Sequence, residues 1–126
     1  MSSPLPPTPC TVLEAMARME GFYVQGSRAN RNNNPGNIEF GRFAAAHGGI
    51  LERGVNPRFA EFTTADAGFS AMRALLFSAY LGLSMAAALN KWAPPVENQT
   101  NIYIENVCHW TGTNPDDIVT ALLLSK

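Results

Sequence analysis

The sequence predicts an α+β domain, mainly helical, with about five helices and a small antiparallel β-sheet. Two patterns carry that prediction. Apolar residues recur at three- and four-residue spacing behind Ser, Thr and Asn caps in several segments. Two short segments instead alternate apolar and acidic residues. The chain has 126 residues, which suits one domain and leaves no room for a second.

Residues 1–8 form a Pro/Ser arm, expected to be flexible, and 9–126 the single domain. Pro9 can open a helix, and Thr11-Val12-Leu13-Glu14 is a capping box. Leu13, Met16, Ala17 and Glu20 then share one helical face, and Gly21 stops the helix. From Phe22 to Asn37 the chain is polar and reads as a long, functional loop. Ile38-Glu39-Phe40 and Phe59-Ala60-Glu61-Phe62 fit paired strands, with residues 44–57 as a loop between them. Thr63 or Thr64 caps a helix to about Tyr80, and Ser84 caps another that Pro94-Pro95 ends. Thr100 opens a fourth helix closed by Gly112, and Asn114-Pro115-Asp116-Asp117 starts the last.

Composition narrows the function. Apolar residues at 46% with only 15% charged exclude a globally disordered chain. Nine Lys+Arg against ten Asp+Glu lack the basic surplus of a nucleic-acid binder and point to a neutral, polar partner such as a carbohydrate. A helix-turn-helix with Thr111–Pro115 as its turn fails on the same ground, because two acids in its second helix, Asp116 to Leu124, repel phosphate. No apolar run is long enough to span a membrane. The N-terminus lacks a basic start and an apolar stretch, so no signal peptide is expected, and action outside a cytoplasm would need another delivery system. Cys10 and Cys108 are expected to lie close together as two buried thiols, with a single bridge as the alternative.

Glu20 is the strongest candidate for chemistry. It continues the apolar face of its helix and lies at the C-terminal end, where the macrodipole disfavours negative charge. Both effects push a carboxyl toward the protonated form, which glycosidic-oxygen protonation requires. The bland alternative is a solvated last-turn Glu beside Arg18. The Asn-rich loop 28–37 offers uncharged amides suited to sugar hydroxyls and N-acetyl groups. Phe22, Tyr23, Tyr103 and Trp110 are possible sugar-stacking platforms, and Trp92 fits either core or cleft.

Three blocks occur in order. They are Glu20-Gly21 followed by Asn33-Asn34-Pro35-Gly36-Asn37-Ile38, then Arg58-Phe59-Ala60-Glu61-Phe62-Thr63 with Gly68 and Ala71, then Thr100-x-x-Tyr103-x-x-x-Val107. Together they resemble the lysozyme-like superfamily of peptidoglycan glycan cleavers. In flagellar-type glucosaminidases a helix-terminal Glu precedes an Asn-Asn-Leu-Phe-Gly-Ile segment. In lytic transglycosylases a Glu-Ser precedes Gly-Leu-Met-Gln, and a later Glu-Thr-x-x-Tyr-x-x-x-Val follows; here Glu39 and Phe40 follow Ile38 where those enzymes carry Gln, and two residues separate Glu97 from Thr100. Phage wall hydrolases are often of this kind.

The resemblance implies a lysozyme-like fold that cleaves the β-1,4 glycan of peptidoglycan, as muramidase or lytic transglycosylase. Glu20 matches the catalytic acid/base, and Tyr103 the tyrosine reaching the site from a late helix. Asn33, Asn34, Asn37, Ile38 and Phe40 fall in or beside the cleft floor, with Tyr23 as a further sugar contact. Glu39 is the best candidate for a second carboxylate, which a lytic transglycosylase does not need. No metal or organic cofactor is implied. The expected partner is a peptidoglycan strand met by a monomer, at the cell wall. A catalytically silent glycan-binding or virion structural module on the same fold is the competing reading.

Overall fold

The computed structural model describes residues 4–125. Among them the elements run α1 (Val12–Met19), α2 (Arg28–Arg31), α3 (Arg42–Ala46), β1 (Ile50–Leu51), β2 (Ala60–Glu61), α4 (Ala65–Ala79), α5 (Met85–Trp92), α6 (Thr100–Thr111) and α7 (Ala121–Leu124). The architecture is therefore α+β and mainly helical, with seven helices and one two-stranded antiparallel sheet among the described residues. Part of the expected arm, residues 1–3, lies outside the described residues.

Helix α1 starts where its capping box dictates. Thr11 Oγ1 accepts from the Glu14 N–H, and Glu14 Oε1 accepts from the Thr11 N–H. Val12, Leu13, Ala15, Met16 and Ala17 are buried, and the helix packs on α6, which in turn packs on α5. Ser84 and Thr64 cap α5 and α4 as expected, and Gly112 ends α6 in the left-handed conformation. Met16, Phe62, Met72, Leu89 and Val107 form a fully buried core. Each such side chain contributes about 1.5–3 kcal/mol by leaving water.

Several expectations need correction. The 22–37 loop contains α2, capped by Ser27, and the 44–57 loop contains part of α3 and all of β1. Residues 38–40 do not form a regular strand. They make one bridge, Glu39 opposite Phe59, and β2 takes β1 as its partner on the other side. Gly41 turns the chain into α3 before a longer ladder can form. The last helix does not begin at Asn114. The Asp117 carboxylate folds back on the Asn114 N–H, and the Met85 N–H donates to the Asp117 carbonyl. Leu83 and Val119 pair likewise, so this backbone is committed to the α4–α5 turn, and α7 waits for its Thr120 cap.

The polar segment 32–38 is the least regular part and the one that matters for the site. Asn34 is fully buried and acts as a staple. Its Nδ2 donates to the Ile38 and Ala60 carbonyls at 2.9 Å each, and its Oδ1 accepts from the Ile38 N–H at 3.0 Å. Gly68 lets this segment lie directly on α4, because a Cβ there would stand 2.0 Å from the Asn33 carbonyl oxygen. Gly36 does the same for Trp92, whose Cζ2 would be 2.8 Å from an added Cβ.

Candidate functional site

A cleft of about 550 Å³ opens between the 36–39 segment, the start of β2 and the α5–α6 connection. That volume is in the range of small-ligand sites. Glu20, Asn37, Ile38, Glu39, Arg58 and Trp92 line it, together with Phe59, Tyr80 and Lys91.

Glu20 is the C-cap of α1, so its carboxylate projects from the helix end into this cleft. Oε2 accepts from the Tyr103 hydroxyl at 2.7 Å. Oε1 accepts from Asn37 Nδ2 at 3.1 Å, and the same amide nitrogen reaches the Glu20 carbonyl at 3.2 Å. Burial pushes the Glu20 carboxyl above its ordinary pKa. The hydrogen bonds from Tyr103 and Asn37 pull back, in that order, without cancelling it. Tyr103 is deeply buried, and its hydroxyl is held well above its ordinary pKa by burial and by the nearby carboxylate. It therefore stays a protonated donor.

The expected site residues divide. Glu20, Asn37, Ile38 and Glu39 come together in the cleft. Tyr103 meets Glu20 from below but is 3% exposed and lines no part of the cleft wall, so it positions the acid rather than touching a ligand. Asn34 is 0% exposed and saturated, which removes it from ligand contact. Asn33 spends its amide on the Phe62 carbonyl at 3.0 Å. Phe40 is exposed beyond the cleft wall, and Tyr23 lines a different groove, with Pro4, Leu13, Phe22 and Phe69. Glu39 reaches the cleft, but its carboxylate is held by Arg58 at 2.5 Å. The same guanidinium binds Glu97 at 2.9 Å, so both carboxylates share one cation. All three side chains are about half exposed, and such pairs orient groups more than they stabilise a fold.

Arg58, Trp92 and Lys91 were the functional candidates hardest to read. Arg58 stands one residue before the alternating strand pattern, and nothing in the sequence reveals that Glu39 and Glu97 converge on it. Trp92, consistent with either core or cleft, lines the cleft and packs edge-on against Tyr80. Cys10 and Cys108 are both free, and Cys10 is only half-buried. The Cys10 N–H donates to the Trp110 carbonyl at 2.9 Å, which puts its segment on the end of α6 that carries Cys108. Burial raises both thiols, which makes them poor nucleophiles. Among the described residues no group of three or more His, Cys, Asp or Glu side chains could hold a metal ion.

No protein-family model matches the chain. It is similar to "Protein P5" of Pseudoalteromonas phage PM2, with 37% identity over 92 residues. The match takes in 70% of this chain and 58% of that protein, so the chain spans little more than half the length of the relative.

Proposed function

We propose that this protein is a lysozyme-like glycan cleaver that acts on peptidoglycan with Glu20 as its single acid/base, and that it works as a lytic transglycosylase. The observation that carries the proposal is the Glu20 carboxyl, half-buried at a helix end, open to a cleft and held by two neutral donors with no cation bound to it. A carboxyl so placed keeps its proton to higher pH and can give it to a glycosidic oxygen.

The steps balance around that one group. Glu20 protonates the bridging oxygen as the bond from the muramoyl C1 breaks. The C6 hydroxyl of the same sugar attacks C1, and its proton returns to the Glu20 carboxylate. The product is a 1,6-anhydro end, and no water is consumed. The choice over hydrolysis rests on Glu39 and Glu97, whose carboxylates are tied to Arg58 rather than free to activate water. Trp92 is the half-buried aromatic ring of the cleft on which a pyranose can stack, since Lys91 covers Tyr80 and Arg28 and Arg58 cover Phe59. A phage protein among its relatives suits this reading, since phages must open the bacterial wall.

The test is mass spectrometry of purified peptidoglycan after incubation with the protein and with Glu20→Gln. The proposal expects 1,6-anhydromuramoyl ends from the wild type and a rate lower by roughly 10²–10⁴ or more in the variant. New reducing ends would mean hydrolysis. Glycan binding with no product would mean a silent binding module, and a wild-type rate in Glu20→Gln would remove Glu20 from the mechanism.

A further inference from the structure

Asn37 combines features that a residue serving stability alone would not keep. Its φ of 46° is left-handed, a conformation that Asn tolerates better than most residues but that Gly adopts without strain. Its Oδ1 is buried with no hydrogen-bond partner among the described residues, although a buried acceptor is costly to leave unmade. The other end of the amide is fully used. Nδ2 donates both to Glu20 Oε1 and to the Glu20 main-chain carbonyl. All of the polar return from this side chain therefore goes to one residue.

We propose that Asn37 is a positioning residue for Glu20, clamping Oε1 to the end of α1 while Tyr103 clamps Oε2, so that the carboxyl has a single orientation in the cleft. This rests on the reading of Glu20 as the acid, and it replaces the expectation that Asn37 binds substrate directly. The two clamps differ in placement. Tyr103 comes from α6 beneath the site, whereas Asn37 lines the cleft beside the acid. Neither carries a charge. An amide N–H given to Oε1 favours the carboxylate modestly and leaves the acid able to hold its proton. A Lys or Arg at this position would keep the group ionised. The cleft's other charged groups are Glu39, Arg58, Glu97 and Lys91, and none of them hydrogen-bonds to the Glu20 carboxyl.

The test is a carbon-detected NMR titration of the Glu20 carboxyl in wild type, Asn37→Gly and Asn37→Asp. Glycine accepts the left-handed backbone and deletes the amide, while aspartate keeps the shape and turns the donor into an acceptor. The proposal expects Glu20 to titrate at higher pH in Asn37→Gly and higher still in Asn37→Asp, with the melting temperature of Asn37→Gly close to wild type. Glu20 titrating where it does in the wild type, in whichever variant folds, would overturn it. So would a large loss of stability in Asn37→Gly with an unmoved titration, the signature of a merely structural residue. The readout needs no turnover. If neither wild type nor variant cleaves peptidoglycan, the proposed activity fails while the titration still decides the role of Asn37.

Discussion

Glu20 and Glu52 are both withdrawn from solvent, and the molecule treats them in opposite ways. Glu52 is 6% exposed. It receives a bidentate pair from Arg28, with Nε–Oε1 at 2.9 Å and Nη2–Oε2 at 2.6 Å. Asn32 Nδ2 and the main-chain N–H groups of Arg58 and Phe59 complete its shell. Arg28 before all, then the Phe59, Asn32 and Arg58 donors, hold it well below the ordinary carboxylate range despite its burial. Glu20 receives neutral donors and no cation, and burial wins. A cation with several donors makes a permanent charge, which here ties α2 to the strand region. Neutral donors fix a carboxyl in space and leave its proton negotiable, which is what an acid/base needs.

The largest expected effect is at the saturated site. Glu52→Ala leaves Asn32 Nδ2 and two backbone N–H groups without their acceptor, and should cost about 3 kcal/mol. For a domain of this size that is a fall in melting temperature on the order of 10 °C or more, and an unchanged melting curve would break the comparison. Next comes Gly68→Ala, which drives a Cβ into the Asn33 carbonyl and displaces the segment that carries Asn37 to Glu20. A loss of about 1–3 kcal/mol is expected in chemical denaturation, with activity reduced in the folded fraction. Tyr103→Phe keeps the buried ring and deletes one bond to Glu20. It should lower specific activity by about tenfold at a stability cost near 1 kcal/mol, and a stability loss without a rate loss would make Tyr103 purely structural.

The smallest effect has the most distinctive sign. The folded pKa of Glu20 is raised, so ionising it in the fold costs stability as pH rises through the range between its unfolded and folded values. Glu20→Gln removes that cost. It should be more stable than wild type near pH 7, with the gain vanishing below about pH 4. Glu52 runs the other way. Its folded pKa is depressed, so its contribution is full above about pH 5 and is lost as pH falls below about 4. Paired melts of the two glutamine variants across pH 3–8 separate the two signs.

What the sequence disclosed follows from how local each signal is. The ends of α1, α4 and α5 were legible because Thr11, Thr64 and Ser84 cap their own helices. Glu20 was legible because three- and four-residue spacing puts it on the face of Leu13 and Met16. Strand β1 was not, since both Ile50 and Leu51 are exposed and show no alternation. Helix α2 is a single turn, too short for any period to register. Within the Asn-rich segment the residue type marked the right place but not the roles. Asn33 and Asn34 are spent on main-chain carbonyls and Asn37 on Glu20, a division set by which carbonyls the folded chain brings near. Glu52 gave no signal, because its partners Arg28, Asn32 and the 58–59 backbone converge only in three dimensions.

The contrast between the two carboxyls is tested most directly by titrating both in the wild-type protein, following their side-chain carboxyl carbons by NMR from pH 2 to 8. Glu20 is expected to titrate above the ordinary glutamate value of about 4.3, and Glu52 to remain ionised through most of the range. Both groups titrating together near 4.3, or Glu52 above Glu20, would contradict the account.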